Sequence, residues 1–359
     1  MVLKAAAVIA SPVFDGVFNG DATVEKTCRL IEEAASNGAR LIVFPETYIP
    51  IFPWWVYMAV SNLKQQELFK QLYKHSFSVD SPQIKKIAQV CKQTGMVAVV
   101  GLNEKDGHTI YNSQVFIDQG KILGTHRKLI PTGGERTVWG RGDGSGIRVF
   151  ETSAGKIGGL ICYEHSMSLA RYTLYSMGEQ IHVANFPGAN FKSQQRDRNK
   201  VIDAIIRNLA FEGQLFVCNS TTTLSEEEKN FYLELVPSNQ GVLEAGGGIA
   251  AIVDPFSNYI GGPMENQEGI VYGEIDFDKI ILAKHFVDCV GHYSRPDVFT
   301  LLFNNRRLTP VERVSQFNHV FKSGLNQEVE QAIEVLKKNL HKVQDDEMVA
   351  AIEDLARLI

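Results

Sequence analysis

Cys162 stands where an apolar stretch of the chain gives way abruptly to polar residues. Gly158–Ile161 are apolar enough for a buried strand, whereas Glu164, His165 and Ser166 follow the cysteine and open a predicted helical segment. Backbone N–H groups and the positive end of a helix dipole lower the pKa of a thiol placed there. The pattern therefore predicts a nucleophile at Cys162. The alternative is an inert core thiol, the usual fate of a lone cysteine.

Two further groups suited to acid–base chemistry also follow predicted strands. Glu46 comes after the apolar stretch 41–44 and a proline, and Lys128 ends a predicted hairpin strand. Strand ends at one edge of a layered sheet face a common crevice, so residues distant in sequence converge there. A carboxylate beside a thiol accepts its proton, and an ammonium stabilises the negative charge that develops after attack. Glu46, Lys128 and Cys162 are thus predicted to form one site.

The composition argues against several classes of function. The 359 residues carry a formal net charge of −5 with a pI near 6.0, so we expect no nucleic-acid partner, which would require a basic surface. No apolar run approaches the ~20 residues of a membrane span, so we expect no membrane partner. The opening stretch 1–10 is too short for a secretory signal. Five scattered cysteines, without zinc-like spacing, predict no metal site and a reducing, cytoplasmic compartment.

Strands and helices alternate up to about residue 290, which is typical of an α/β or layered sandwich protein. Start and stop signals mark the helices; Ser81-Pro82 opens one that ends at Gly95. Strands are predicted at 3–10, 41–44, 96–101, 111–117, 121–128, 158–161, 181–185, 215–220, 248–253 and 269–275, and helices at 23–37, 82–93, 168–177, 197–212 and 277–285. This pattern alone does not distinguish a sandwich from a doubly wound sheet.

The character of the chain changes at about residue 296. Apolar residues then recur every three or four positions, as on one face of a helix; they are Leu325, Val329, Ile333, Leu336, Leu340 and Val343. Asp345-Asp346 predicts the start of a second helix. We therefore divide the chain into a domain of residues 1–295 and a helical tail of residues 296–359. The tail is either a lid on its own core or an arm for assembly.

Three short motifs around the candidate residues resemble the signatures of the nitrilase superfamily of carbon–nitrogen hydrolases. They are Phe44-Pro-Glu46-Thr-Tyr, His126-Arg-Lys128-Leu-Ile-Pro-Thr and Ile161-Cys162-Tyr-Glu164. Two more are similar to its nitrilase branch, and these are Glu135-Arg-Thr-Val-Trp139-Gly-Arg-Gly-Asp143-Gly and Val290-Gly-His292-Tyr-Ser-Arg295-Pro-Asp297. The five motifs occur in the family's order, and the resemblance covers roughly residues 3–300.

The resemblance implies a site, a fold and a reaction. It assigns catalysis to Glu46, Lys128 and Cys162, with Glu135 as a second glutamate that orients the lysine and the base. The implied fold is a four-layer αββα sandwich that pairs into αββα–αββα dimers, which often stack into spirals or filaments. The implied substrate is a small organic nitrile, hydrolysed to carboxylic acid and ammonia through a covalent thioimidate and thioester, without a cofactor. Tyr163 departs from the tryptophan that usually follows the nucleophile in this branch.

Several residues near the predicted strand ends are candidates for a substrate pocket. They are Trp54, Tyr57, Tyr163, Pro187 and Ala189. The aromatic cluster that begins at residue 54 is equally consistent with a loop at a subunit contact. Structural rather than catalytic roles are predicted for Glu164, His165 and His292, and Asn112 and Asn185 belong to a pocket or a turn.

Two other functions stay open at this stage. The same Glu-Lys-Cys site suits an amide, a carbamoyl group or cyanide, although the motifs around Trp139 and His292 favour nitriles. The other alternative is an assembly protein with a silent site. The long predicted tail supports this alternative, whereas the complete set of catalytic groups argues against it.

Overall fold

A computed structural model describes residues 2–192, 197–239, 242–308 and 335 of the chain. The chain divides into a unit of Met1–Arg306 and a second unit of Arg307–Ile359. Of the predicted helical tail, only residues 296–308 and 335 are described, and both the boundary at residue 295 and the role of the tail stay predictions.

In the described part of the first unit, strands and helices alternate as the sequence predicts. The strands are β1 (Val2–Ala10), β2 (Leu41–Val43), β3 (Val97–Asp106), β4 (Thr109–Asp118), β5 (Lys121–Arg127), β6 (Phe150–Thr152), β7 (Gly155–Ile161), β8 (Ile181–Phe186), β9 (Asn190–Phe191), β10 (Phe216–Thr222), β11 (Leu243–Glu244), β12 (Ile249–Val253), β13 (Tyr259–Glu265) and β14 (Gly269–Asp276). The α-helices are α1 (Gly20–Ser36), α2 (Asn62–His75), α3 (Pro82–Thr94), α4 (Ser168–Ser176), α5 (Arg198–Gly213), α6 (Glu226–Leu235) and α7 (Asp278–Phe286). Short 3₁₀ segments include Trp54–Tyr57, Gly133–Thr137 and Cys162–Ser166. Within the described ranges, no helix combines the length and the apolar character needed to cross a lipid bilayer.

The larger strands form two half-sheets that are joined to each other. The first half has the order β5-β4-β3-β2-β1-β14, and the second has the order β6-β7-β8-β10-β12-β13. β1 connects them, because Ile9 and Ala10 pair in parallel with β10. Beside this junction β13 and β14 also approach closely, since a Cβ on Gly261 would come 2.4 Å from the Tyr272 carbonyl oxygen. The two halves together make a sheet that is nearly closed.

Alternate side chains of each strand point to opposite faces, which separates the core into layers. On β1, Ala5 and Ala7 belong to the core between the half-sheets, whereas Ala6 and Val8 belong to the core shared with α1 and α3. Residues of α4 and α5, such as Ile206, pack on the outer face of the second half. The layers confirm the predicted four-layer αββα sandwich and exclude the doubly wound alternative.

Helix α3 shows why local signals place such helices correctly. The Ser81 side chain accepts a hydrogen bond from the Ile84 N–H, and Pro82 occupies the first turn, where its missing N–H costs nothing. Gly95 ends the helix with φ +68°, a left-handed conformation that glycine adopts without a Cβ clash. Ile87 on the inner face packs against the first half-sheet.

The structure contains elements that the sequence pattern does not predict, namely α2, α6, β13 and the short strands β6, β9 and β11. The buried residues are Leu68 and Leu72 on α2, and Glu228 and Tyr232 on α6. Only two residues of each helix are buried, and the apolar residues of α6 lie together at its C-terminal end rather than three or four positions apart. β13 lies between the predicted strands at 248–253 and 269–275, where no strand is predicted.

The strand directions bring the predicted site residues to one edge of the sandwich. β1, β2 and β3 are parallel, and so are β1, β10, β8 and β7. β5 runs in the same direction as β3, because both pair antiparallel with β4. Glu46, Lys128 and Cys162 follow the carboxyl ends of β2, β5 and β7. All three therefore lie at the same edge.

Candidate active site

Glu46 is fully buried just beyond the end of β2, in a turn that approaches β3 closely. Gly101 of β3 permits this approach, because a Cβ there would lie 1.8 Å from the Pro45 carbonyl oxygen. Glu46 Oε1 accepts hydrogen bonds from Asn112 Nδ2 at 2.7 Å and from Lys128 Nζ at 2.8 Å. Its Oε2 is buried with no hydrogen-bond partner in the described part of the chain. One oxygen is held in place, and the other is available to take a proton.

Lys128 lies between two glutamates. Its buried ammonium donates to Glu46 Oε1 at 2.8 Å and to Glu135 Oε2 at 2.7 Å, and Nζ lies 5.9 Å from the centroid of the Trp139 ring. With both carboxylates ionised, the two negative charges and one positive charge leave a net charge of −1. Uncompensated charge is costly in a buried site. The set formed by Glu46, Lys128 and Glu135 is therefore suited to hold a proton.

Glu135 is positioned by the 3₁₀ segment Gly133–Thr137. Its Oε2 accepts a hydrogen bond from the Thr132 N–H at 2.8 Å in addition to the one from Lys128. The Tyr57 hydroxyl donates to Glu135 Oε1 at 2.9 Å. Glu135 thus holds one side of the ammonium, which is consistent with the orienting role that the resemblance implies.

The electrostatics of this set favour proton transfer near neutral pH. Burial raises the pKa of the Glu46 carboxyl to about 7, although Lys128 opposes the change. Burial alone would lower the pKa of the Lys128 ammonium, but Glu46, Cys162 and Glu135 outweigh burial and hold that pKa well above its ordinary value. Lys128 is therefore charged at neutral pH, while Glu46 exists in both forms. A base whose pKa lies near the working pH is well suited to general-base catalysis.

Cys162 is buried at a sharp elbow between β7 and the 3₁₀ segment Cys162–Ser166. Its φ of +54° lies in the left-handed region, which costs a residue other than glycine on the order of 1–3 kcal/mol and is typical of functional sites. The expectation of a lowered thiol pKa is wrong. Burial raises the pKa of the thiol well above its ordinary value, and Glu46 raises it further, whereas Lys128 opposes both. The elbow is followed by only five 3₁₀ residues, so little dipole is available to offset burial.

Glu164 ties the elbow to the segment that carries Lys128. Its Oε2 accepts a hydrogen bond from the Ile161 N–H at 2.7 Å and lies 2.9 Å from His126 Nε2, and its Oε1 accepts from the Leu129 N–H at 2.7 Å. Burial would raise the pKa of the Glu164 carboxyl, but His126 and the two N–H groups together hold it below its ordinary value. These contacts fit the structural role predicted for Glu164.

A buried chain of hydrogen bonds lies behind Cys162. His165 Nδ1 lies 2.5 Å from the Cys162 carbonyl oxygen, His165 Nε2 lies 3.0 Å from His182 Nε2, and His182 Nδ1 lies 2.9 Å from Glu179 Oε1. A carbonyl oxygen only accepts, so His165 Nδ1 carries the hydrogen. Burial lowers the pKa of both histidines to about 3, and raises the pKa of Glu179 well above its ordinary value. His182 therefore donates from Nε2 and accepts at Nδ1 from a protonated Glu179.

A cavity of about 460 Å³ opens onto Cys162. It is lined by Phe52, Trp54, Tyr57, Met58, Thr132, Glu135, Cys162, Tyr163, Pro187, Phe191, Arg198 and Val242. Four of the five predicted pocket residues belong to this lining. Ala189 instead lines a neighbouring cavity of about 370 Å³. Its backbone packs against Gly247, where an added Cβ would come 2.4 Å from the Ala189 carbonyl carbon.

Other polar residues fall partly inside and partly outside this site. The sequence assigned Asn112 to either a pocket or a turn, and in the structure its side chain donates a hydrogen bond to Glu46. The Asn185 amide oxygen instead accepts a hydrogen bond from Gln114 at 3.1 Å within the core. His292 is exposed rather than packed. Arg198, the first residue of α5, is not predicted, because it lies twelve residues beyond the end of β8 and the sequence carries no signal that it lines the cavity. In the described ranges, no group of three or more His, Cys, Asp or Glu side chains could hold a metal ion.

Sequence comparison places the chain among known hydrolases. Residues 4–285 match the family model described as carbon-nitrogen hydrolase. An aliphatic nitrilase of Rhodococcus rhodochrous is 38% identical over 313 residues, which cover 86% of this chain and 84% of that protein. A nitrilase of Bacillus sp. (strain OxB-1) is 36% identical over 316 residues, covering 87% and 91%. An arylacetonitrilase of Aspergillus niger is 38% identical over 290 residues, covering 78% and 86%.

Solved structures share the fold at lower identity. A carbon-nitrogen hydrolase from Helicobacter pylori G27 superposes with a TM-score of 0.65 at 20% identity, covering 83% of this chain and 97% of that one. A Saccharomyces cerevisiae member of branch 10 of the nitrilase superfamily gives a TM-score of 0.62 at 17% identity, covering 81% and 96%. Fold, family match and sequence identity agree, and the chain belongs to the carbon–nitrogen hydrolase family of the nitrilase superfamily, as its motifs predict.

Proposed function

We propose that the protein is a nitrilase that hydrolyses an organic nitrile to the carboxylic acid and ammonia. The observation that carries the proposal is the Lys128 ammonium, hydrogen-bonded to Glu46 and Glu135 at the edge of the sandwich where Cys162 meets a cavity. The aliphatic nitrilase and the other nitrilases at 36–38% identity favour a nitrile over an amide, a carbamoyl group or cyanide.

The first chemical step joins Cys162 to the substrate. Glu46 Oε2 takes the thiol proton while the sulfur adds to the nitrile carbon, and the proton passes on to the nitrile nitrogen to give a neutral thioimidate. Lys128 and the backbone N–H of Tyr163 stabilise the negative charge that develops during this addition. Glu135 keeps the ammonium in position throughout.

Two waters complete the reaction. The first adds to the thioimidate carbon, and the carbon–nitrogen bond breaks to release ammonia and leave a thioester on Cys162. The second adds to the thioester, and the carbon–sulfur bond breaks to release the carboxylic acid and restore the thiol. Glu46 relays the protons in both steps. One nitrile and two waters thus give one acid and one ammonia, with no oxidant, reductant or cofactor consumed.

The test compares Cys162→Ala with the wild-type protein on a nitrile and its matching amide. Ammonia and acid release are measured together, and circular dichroism with thermal denaturation reports folding. The wild-type protein should release ammonia faster from the nitrile, and the variant should be folded and inactive. Nitrile hydrolysis that persists in the folded variant would remove Cys162 from the mechanism. Faster ammonia release from the amide would identify an amidase instead.

We also infer self-association into αββα–αββα dimers, with further stacking into spirals. The outer helices α4 and α5 leave apolar side chains exposed, with Leu169 at 69% and Phe211 at 54%. An apolar surface on two adjacent helices is the expected mark of a pairing face. Removing residues 300–359 should lower the assembly size more than the turnover rate, as light scattering and ammonia assays will report. A full-length protein that runs as a monomer contradicts this inference.

We further propose a cytoplasmic location. All five cysteines are free, including the partly exposed Cys289, which is typical of reducing compartments. Fractionation of the source cells tests this directly.

A further inference from the structure

Arg198 is the first residue of α5, and it lines the cavity that contains Cys162. Two contacts hold its side chain in this wall. Nη2 donates to the Pro187 carbonyl oxygen at 3.3 Å, and the guanidinium lies 5.2 Å from the centroid of the Trp54 ring. Stacking on an aromatic face leaves the edge of a guanidinium, with its N–H groups, free to bind an anion.

The charge of Arg198 is not neutralised by the described residues. No ion pair joins it to any aspartate or glutamate in the described ranges, and its Nε is buried there without a hydrogen-bond partner. The adjacent Asp197 caps α5 and lies 3.5 Å from Lys200 instead. Glu135, the acidic side chain of the same wall, is already bound by Lys128. A buried donor without a partner is costly, so this guanidinium is suited to a ligand that supplies an acceptor.

The field of Arg198 also reaches the nucleophile. Burial dominates the raised pKa of the Cys162 thiol, but Arg198 is among the cations that oppose it. The rest of the lining is largely aromatic and aliphatic, with Phe52, Trp54 and Phe191 among its members. The cavity therefore combines a nucleophile, an apolar middle and one uncompensated cation.

We propose, on the basis of the nitrile-hydrolysing function above, that this site prefers nitriles that carry a carboxylate. The nitrile carbon lies at Cys162, the carbon chain lies along the aromatic wall, and the carboxylate accepts hydrogen bonds from Arg198. Arginine binds carboxylates with two parallel N–H···O bonds, which fixes orientation as well as charge. Bonds to a charged group contribute enough to change affinity roughly 10- to 100-fold. The simpler alternative is that Arg198 only packs the Trp54 and Pro187 loops together.

The test uses two substrates of nearly equal shape. One is 4-cyanobutanoate, and the other is 5-methylhexanenitrile, in which two methyl groups replace the carboxylate oxygens. Cyanoacids one methylene shorter and longer are included to match the span from Arg198 to Cys162. Values of kcat/KM are measured for the wild-type protein and for Arg198→Gln and Arg198→Lys, at low and high ionic strength. Binding of the cyanoacid to Cys162→Ala, with and without Arg198→Gln, is measured by calorimetry.

The expected result is a wild-type preference of at least tenfold for the best cyanoacid over the neutral nitrile. Arg198→Gln should lower kcat/KM for the cyanoacid roughly 10- to 100-fold, mainly by raising KM. The factor by which it lowers kcat/KM for the neutral nitrile should be at least ten times smaller. Arg198→Lys should keep part of the preference, and salt should weaken it. Equal losses on both substrates, or a wild-type preference for the neutral nitrile, overturn the carboxylate proposal while nitrile hydrolysis stands. If neither nitrile releases ammonia, the proposed function fails, and calorimetry still decides whether Arg198 binds the carboxylate.

Discussion

The pH dependence of turnover tests the role of Glu46 most directly. In the mechanism above only the ionised carboxylate accepts the thiol proton. Burial places the pKa of Glu46 at about 7, so the ionised fraction is one half at pH 7 and about one eleventh at pH 6. We therefore expect kcat/KM to fall about fivefold from pH 7 to pH 6, to approach a tenfold fall for each further pH unit, and to level off above pH 8. The thiol adds no ionisation in this range, because its pKa is raised well above its ordinary value.

Glu46→Gln separates this chemical role from a structural one. The amide cannot accept the proton, and the loss of a general base costs on the order of 10²–10⁴ in rate. Stability should change in the opposite direction. The pKa of this carboxyl rises from 4.5 to about 7 on folding. Its contribution to the free energy of unfolding is therefore largest below pH 4.5 and falls as the pH rises to 7. This difference corresponds to a penalty on the order of 3 kcal/mol on the ionised form, which a neutral amide avoids.

The measurement is a pH profile of ammonia release from pH 5 to 9, together with urea denaturation of both proteins at pH 8. We expect Glu46→Gln to lose most of its activity, and the activity that remains should no longer fall below pH 7. Its free energy of unfolding should stay at or above that of the wild-type protein. The matched control is Lys128→Met, which leaves two buried carboxylates without their cation and should lose on the order of 3–5 kcal/mol. A flat wild-type profile between pH 5.5 and 7.5, or a Glu46→Gln variant with more than a tenth of wild-type activity, refutes the assignment.

Three further predictions follow from individual contacts. His165→Asn places an amide donor where the His165 Nδ1 contacts the Cys162 carbonyl oxygen, so its kcat/KM should be 2- to 10-fold higher than that of His165→Gln. A higher kcat/KM for His165→Gln would contradict the assignment of the hydrogen to Nδ1. Gly101→Ala puts a Cβ against the Pro45 carbonyl oxygen and should lower the free energy of unfolding by roughly 1–3 kcal/mol, with loss of activity; wild-type values in denaturation and ammonia assays count against this. Phe211→Glu on α5 should reduce the dimer fraction in light scattering without abolishing turnover, and an unchanged dimer places the pairing face elsewhere.

The parts of the site that follow strand ends could be predicted from the sequence. The apolar runs before Glu46 and Cys162 identify strands, and parallel strands end at one edge, so their convergence needs no knowledge of side-chain packing. The same logic located Lys128, whereas Glu135 was implied only by the resemblance to the family. The sandwich was implied by the family motifs, since alternating elements alone are shared with doubly wound sheets.

The remaining features depend on burial, which a single sequence does not reveal. The pKa of the Cys162 thiol was expected to fall because of the helix that follows, but the protein encloses the sulfur so completely that desolvation outweighs the short turn. Glu179 and His182 lie far along the chain from the nucleophile, and packing alone joins them to it. No periodicity in the sequence indicates that Arg198 lies in the cavity wall, so its place there was not predicted.

The high thiol pKa fits the proposed reaction better than the thiolate first expected. A nitrile nitrogen becomes basic only as the sulfur adds to the neighbouring carbon, and it must then receive a proton. A thiolate would bring a buried negative charge and no proton, next to the carboxylate of Glu46, and Lys128 alone would have to offset both. A neutral thiol supplies the nucleophile and the proton together, and Glu46 Oε2, which has no hydrogen-bond partner among the described residues, is available to carry that proton. Counted together with the sulfur and the nitrile, Glu46, Lys128 and Glu135 keep the same net charge of −1 throughout the addition, because each proton that leaves one group is taken up by another.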